Sequence, residues 1–234
     1  MSKVLVITGG SKGIGRATAA TFKAEGYKVI NMSRSAPPEE GGVHIPVDMS
    51  DIQWPEKAAA RLQQEVADAD SICIIHNAAV LKKDAAGDVS AASLQHVLQL
   101  NVIAASQLNQ LLLPSMKSGS SIIYVGSTLS EKAVAGSCSY VTSKHAVIGL
   151  MRATCQDLAG SGVHTACVCP GFTDTEMLRE HVGQDQAILT AIASGVTQGR
   201  LIKPQEIADT LWFASQQPVI NGSVLHANLG QIEH

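Results

Sequence analysis

Lys3-Val4-Leu5-Val6-Ile7-Thr8-Gly9-Gly10-Ser11-Lys12-Gly13-Ile14-Gly15 is the stretch that decides the fold. The apolar run Lys3–Ile7 reads as a buried strand, and Ile14–Glu25 as the amphipathic helix that follows it. The glycines between them let the backbone turn tightly and approach a pyrophosphate, whose charge suits the amino end of a helix. The spacing is GxxxGxG, so the standard GxGxxG fingerprint fails as written. A loop placed between the first strand and first helix of a βαβ unit still points to a nucleotide rather than to a plain turn.

Outward from this loop, short apolar runs alternate with amphipathic stretches. Strands are expected at Lys3–Ile7, Lys28–Met32, Gly42–Pro46, Ser71–Ile75, Ser121–Val125, Val163–Cys169 and Val224–Ala227. Helices are expected at Ile14–Glu25, Pro55–Ala67, Ser90–Met116, Ser139–Ser161, Asp174–Ala193 and Pro204–Ser215. This alternation predicts an α/β fold, a doubly wound, parallel, seven-stranded Rossmann-like sheet with helices on both faces. Right-handed crossovers gather the carboxyl ends of the strands on one edge, where ligands bind. With no linker-like stretch, residues 1–234 read as one dinucleotide-binding domain with its catalytic site built in. Ser35–Gly42 reads as a surface loop. Residues 176–200, interrupted by Gly183, Gly195 and Gly199, read as a lid over the substrate.

Bulk composition narrows the function. Aromatics make up only 3% against 45% hydrophobic residues, so the core must be built of Val, Ile, Leu and Ala, as suits strands buried on both faces. A net charge of -3 without a Lys or Arg run argues against a nucleic-acid surface. No apolar stretch approaches the ~20 residues of a spanning helix, and no signal sequence precedes the first strand. The five cysteines lack CxxC spacing and read as reduced residues of a cytoplasmic protein, with Cys167 and Cys169 sharing one strand face. His76 reads as a hydrogen-bonded residue at a buried strand end, and no metal site is expected.

Tyr140 and Lys144 stand four apart at the start of an expected helix and so share a face. A free phenol titrates near ~10, and a neighbouring cation favours the phenolate. Ser127 follows the strand Ser121–Val125 and places a hydroxyl at the same sheet edge. Alone, such a Tyr–Lys pair is an ordinary surface feature, and Ser127 an ordinary turn cap.

Taken together these residues resemble the short-chain dehydrogenase/reductase family in its compact single-domain form. Thr8, Gly9, Gly13 and Gly15 match its TGxxxGxG; Ser127, Tyr140 and Lys144 match its Ser–Tyr–Lys set. Asn101 matches its helix asparagine. Pro170-Gly171-Phe172-Thr173-Asp174-Thr175 matches its PG-x-x-x-T turn. Its NNAG turn is matched imperfectly by His76-Asn77-Ala78-Ala79, where Ala79 replaces the last glycine; alanine fits if φ there is negative.

The resemblance implies a nicotinamide dinucleotide held by Thr8, Gly9, Ser11, Lys12, Gly13, Ile14, Gly15, Ser33, Arg34, Asp48, Met49, Asn77, Ala78, Ala79, Tyr140, Lys144, Pro170, Gly171, Thr173 and Thr175. NAD-specific sites place an acid at the end of the second strand. Ser33 stands there with Arg34 beside it, and Lys12 adds charge, so NADP(H) is expected, NADPH over NADH. Asp48 is implied at the adenine; its other reading is a helix cap.

For the reaction, the resemblance implies reduction of a carbonyl to an alcohol, reversibly. Tyr140 is the general acid or base, Ser127 a second donor to the oxygen, and Lys144 a tuner of the tyrosine. Asn101 is implied to bend its helix and seat a water next to Lys144. Thr128, Leu129, Val134, Phe172, Met177 and Leu178 are the candidate pocket residues, which suits a neutral substrate. The other class considered is a non-catalytic NADP(H)-sensing or partner-binding protein; retention of Asn101, Ser127, Tyr140 and Lys144 favours the enzyme. A homodimer or homotetramer through Ser90–Met116 and Ser139–Ser161 is implied; the other reading of Leu108–Leu113 and Ala146–Leu150 is that they face the sheet.

Overall fold

A computed structural model describes residues 2–38, 41–183 and 185–232. Seven strands form one parallel sheet: β1 (Lys3–Thr8), β2 (Lys28–Ser33), β3 (Val43–Pro46), β4 (Ser71–His76), β5 (Ser121–Val125), β6 (His164–Pro170) and β7 (Ser223–Ala227). Their spatial order is β3-β2-β1-β4-β5-β6-β7. The chain winds outward from β1 in one direction, then returns to place β4 on its other side. That reversal opens the crevice at the carboxyl ends of β1 and β4 where doubly wound sheets bind ligands. Thr8, Ser33, His76 and Pro170 extend their strands past the apolar runs, because backbone pairing continues after the side chains turn polar.

Both faces of the sheet are covered. Val4, Val6, Ile30 and Met32 pack with Trp54 and Leu62 of α2 (Trp54–Val66), and with Leu108, Leu112 and Met151 of the helices described below. On the opposite face Leu5, Ile7, Ile75 and Ile123 meet Phe22 of α1 (Gly13–Ala24) and Leu211 of α8 (Pro204–Gln216). Each such side chain, fully buried, contributes about 1.5–3 kcal/mol. Three of the eight aromatics are concentrated here. Phe22, Tyr27 and Trp212 meet edge to face at 4.9–5.6 Å between centroids.

Two expected helices are divided. Ser90–Met116 becomes α3 (Ala91–Leu98), a π-turn at Gln99–Ile103, and α4 (Ala104–Leu112), followed by a 3₁₀ turn at Leu113–Ser115. Ser90 Oγ caps α3 by accepting from Ser93 N at 3.1 Å. Leu108 and Leu112 face the sheet, as do Val147 and Ile148 of α5 (Cys138–Asp157). Asp174–Ala193 becomes α6 (Glu176–Val182) and α7 (Gln186–Ser194), parted at Gly183, whose φ of +85° a side chain would resist. Thr175, not Asp174, caps α6; Asp174 instead takes both arms of Arg179, at 2.7 and 2.9 Å. Past α7 the backbone is tied to the chain's last described residues through Val196–Gln231 pairing and Thr197 N donating to Gly230 O. Among the described residues no helix is long and apolar enough to cross a membrane.

Candidate active site

The glycine loop leaves β1 and enters α1 at the crevice. Gly9 and Gly13 adopt φ of +68° and +50°, which their missing side chains permit. A Cβ on Gly15 would lie 2.2 Å from Gly9 O, so only glycine lets the helix start this close to the loop. Asn77, at the end of β4, ties the loop in place: its Nδ2 donates to Thr8 O and Gly9 O, both at 3.0 Å. Thr8 Oγ1 accepts from Asn77 N and Ala78 N at 3.0 and 2.9 Å, locking β1 to β4 across the switch point. The backbone at Ala79 is not in the positive-φ region, so alanine stands without strain where a glycine was expected.

Lys144 is buried on α5, and its Nζ donates to Val125 O at 2.8 Å while lying 5.6 Å from the centre of the Tyr140 ring. Ser127 caps a 3₁₀ turn at Thr128–Ser130: its Oγ accepts from Leu129 N at 3.1 Å, and its N donates to Ser130 Oγ at 3.0 Å. With Oγ accepting from the backbone, the hydroxyl proton remains to be donated. The Tyr140 hydroxyl, half-buried, has no partner among the described residues.

Asn101 sits in the π-turn, a winding frequent at functional sites. Its Oδ1 accepts from Val80 N at 2.8 Å, and its Nδ2 donates to Val80 O at 3.0 Å and Ser143 Oγ at 2.9 Å. A cavity of about 10 Å³ lies between Asn101, Lys144, Thr8, His76 and Val125, at the lower limit for one water.

The adenosine end is polar but looser. Ser11 Oγ donates to Ser33 Oγ at 2.8 Å, and Ser33 Oγ to Ser35 O at 2.8 Å. Arg34 is exposed beside them. The Asp48 carboxyl is held below its ordinary value, first by the Ser50 hydroxyl and with Arg34 contributing. That bond closes the turn on itself; α2 begins only at Trp54, so Asp48 does not cap it. Met49 is buried in the core and its carbonyl accepts from Gln99 Nε2. Lys12 precedes α1, exposed, without a side-chain cap bond. At the other end, Gly171 N donates to Ala227 O, and Thr173 Oγ1 closes on Gly171 O at 3.1 Å. Thr175 packs against the glycine loop; a Cβ on Gly13 would lie 3.1 Å from its Cγ2. Gly13 and Thr175 also line an open cleft of about 460 Å³ between α1 and α6.

A family model described as short chain dehydrogenase matches residues 3–186. The chain belongs to the short-chain dehydrogenase family. The chain is 27% identical to the 3-oxoacyl-(acyl-carrier-protein) reductase FabG of Escherichia coli, over 97% of this chain and 96% of that one. It is 29% identical to the acetoacetyl-CoA reductase of Rhizobium meliloti, with 99% of each covered. Its fold superposes on the ligand-free aldohexose dehydrogenase of Thermoplasma acidophilum with a TM-score of 0.90, at 27% identity, over 98% of this chain and 93% of that one.

Several supports of the candidate site escaped sequence reading. Asp84 receives Ser139 N at 2.9 Å and the Ser139 hydroxyl, so a loop carboxylate caps the amino end of the Tyr140 helix. Those bonds, the hydroxyl's first, hold the Asp84 carboxyl below its ordinary value. Ser143 links Asn101 to Tyr140 O. Neither has a local signal, since Asp84 lies 55 residues from Ser139 and Asn101 lies 42 from Ser143. The Cys167 and Cys169 sulfurs do share a face, 3.8 Å apart, behind Gly126, where a Cβ would meet them at 2.8 and 2.6 Å. His76 is buried and bonded to Asn109 Oδ1 at 2.8 Å, as read. Among the described residues no group of three or more His, Cys, Asp or Glu could hold a metal.

Proposed function

We propose that this dehydrogenase is an NADPH-dependent reductase of carbonyl compounds, with Tyr140 as general acid. The observation that carries this reading is the Lys144 ammonium over the Tyr140 ring, on the sheet edge that also holds Ser127 and the glycine loop. The loop fits a dinucleotide: its glycines leave the backbone bare where a Cβ at Gly15 would strike Gly9 O. Thr8, Gly9, Ser11, Lys12, Gly13, Ile14 and Gly15 would receive the pyrophosphate, with Asn77, Ala78 and Ala79 beneath the second ribose. Ser33 and Arg34 would receive the adenosine 2′-phosphate, and Asp48 and Met49 the adenine. Pro170, Gly171, Thr173 and Thr175 would flank the nicotinamide. When bound, the reduced nicotinamide supplies the hydride.

The chain's own groups then handle the developing oxyanion. The Tyr140 hydroxyl, without a partner among the described residues, gives its proton to the carbonyl oxygen. Ser127 donates a second hydrogen bond to the same oxygen, stabilising charge as it develops. The Lys144 ammonium lies beside the phenol ring, where it can offset negative charge as it develops. An ammonium carries three protons, and Val125 O takes one, which leaves donors for a ribose hydroxyl and for a water in the cavity beside Asn101. In the oxidative direction Tyr140 is the base.

Phe172, Met177 and Val134 are exposed apolar residues on the loops and helix flanking Ser127 and the end of β6. They favour a substrate with an uncharged chain next to its carbonyl, with α6 and α7 (residues 176–200) as the lid. The names of the two reductase relatives put 3-oxoacyl thioesters first in a panel with quinones, ketones and aldehydes, assayed by NADPH oxidation. Turnover of at least one is expected. Tight NADPH binding with no turnover of any would favour a sensing role.

A further inference from the structure

Gln99 opens the π-turn that carries Asn101, and it is buried, only 7% exposed. Its Nε2 donates twice, to Met49 O at 3.3 Å and to Gln107 Oε1 at 3.2 Å, which uses both protons of the amide nitrogen. Both bonds lead to the same segment. Gln107 Oε1 also accepts from Trp54 Nε1 at 2.7 Å, and Gln107 Nε2 donates to Ile52 O at 2.8 Å. The stretch from Met49 to Trp54, which joins β3 to α2, is therefore fastened to the π-turn and α4 by two side-chain amides.

That stretch faces two ways. At its start the Asp48 carboxylate takes Ser50 N at 3.0 Å and the Ser50 hydroxyl at 2.7 Å, so Asp48, Met49 and Ser50 form one closed turn. At its inner side Met49 lines the small cavity that Asn101 and Lys144 also line. Met49 is thus both a neighbour of the adenine assigned to this turn and a wall of the cavity beside the catalytic lysine. Coupling between separated sites runs through contiguous packed and hydrogen-bonded groups, and here the chain of contacts is short: adenine turn, Met49 O, Gln99 amide, π-turn, Asn101.

We propose that Gln99 is a positioning residue that couples the adenine seat to the π-turn carrying Asn101. This rests on the dinucleotide seat proposed above. An adenine held against the Asp48 turn fixes Met49, and the Gln99 amide passes that order to the turn that holds Asn101 against Val80 and Ser143. The far end of the cofactor then helps to set the catalytic end before any substrate arrives.

The test is amide hydrogen exchange at residues 99–103 with and without saturating ADP. ADP carries the adenosine and the pyrophosphate but no nicotinamide, so its effect on the π-turn must pass through the protein. In wild-type protein ADP should slow exchange there by about fivefold or more, the lower end of ordinary coupling between sites. Gln99→Leu keeps the size of the side chain and removes both donors; with ADP bound, its slowing should fall below about twofold. General stabilisation by a ligand acts on both proteins alike, so the difference between them isolates the amide. Equal slowing in the two proteins overturns the inference and leaves Gln99 a structural support of the segment after β3. If Gln99→Leu does not fold, Gln107→Leu, at a half-buried position, takes its place with the same expected and overturning results. Absence of ADP and NADPH binding overturns the seat and the inference with it, whereas binding without slowing at the π-turn of wild-type protein overturns the inference alone.

Discussion

Asn101 Nδ2 and Ser143 Oγ are joined at 2.9 Å across 42 residues of sequence, one residue before the buried Lys144. The bond reaches from the one turn of the α3–α4 stretch that is wound as a π-helix. The wider turn carries Asn101 inward, where its amide also takes both backbone groups of Val80. The π-turn and the position of Lys144 are thus mechanically linked.

Asn101→Ala should therefore lose stability and activity together. Removing the amide leaves Val80 N and O without partners, a loss of about 2 kcal/mol or more. Urea denaturation should show that drop. Steady-state kinetics should show kcat falling more than KM rises, because the cavity beside Lys144 loses its polar wall.

Tyr140→Phe should keep the fold and the cofactor and lose the chemistry. Among the described residues the hydroxyl has no partner to forfeit, so stability should change little. General-acid catalysis is worth about 10²–10⁴ in rate. A kcat within a few-fold of wild type would exclude Tyr140 as the acid; an unchanged Kd for NADPH is the companion expectation.

Ser33→Asp combined with Arg34→Ser should reverse cofactor preference. A carboxylate at the end of β2 repels a 2′-phosphate and accepts ribose hydroxyls. Wild-type protein should bind NADPH at least about tenfold tighter than NADH, or about 1.4 kcal/mol, and the double variant should prefer NADH. Fluorescence titration with both cofactors reads the outcome. Equal affinities in wild type would remove the role given to Arg34.

His76 should make folding stability depend on pH. Burial lowers its pKa to about 4, against the smaller opposing effect of its bond to Asn109. The unfolded chain binds this proton near the ordinary value of ~6.5, while the folded chain refuses it until about 4. Stability from this group is thus complete above ~6.5 and is lost as pH falls toward 4, by about 3 kcal/mol in all. The difference in urea stability between wild type and His76→Gln, measured from pH 7.5 to 4, should narrow or reverse by about that amount.

Much of this was legible from residues near one another in the chain. Strand placement followed from apolar runs, because a parallel sheet buried on both faces needs them. The glycine loop was legible because positive φ and the near-contact of Gly15 with Gly9 O admit one residue type. Tyr140 and Lys144 were legible because helical geometry itself brings residues four apart together. Even the sulfur pair on β6 followed from the two-residue period of a strand.

The rest depended on contacts that no local pattern encodes. Asp84 caps α5 from 55 residues away, so the loop after β4 and the helix carrying Tyr140 become one unit only on folding. The π-turn interrupts a stretch with uninterrupted helical periodicity, since its cause, the reach of Asn101 to Val80 and Ser143, lies outside the helix. The same holds for Gln99, whose partner Met49 lies 50 residues away. Local chemistry sets which backbone shapes the chain may adopt, through sterics acting over a few residues. Which polar groups then find partners is settled only when β1, β2 and β4 come side by side.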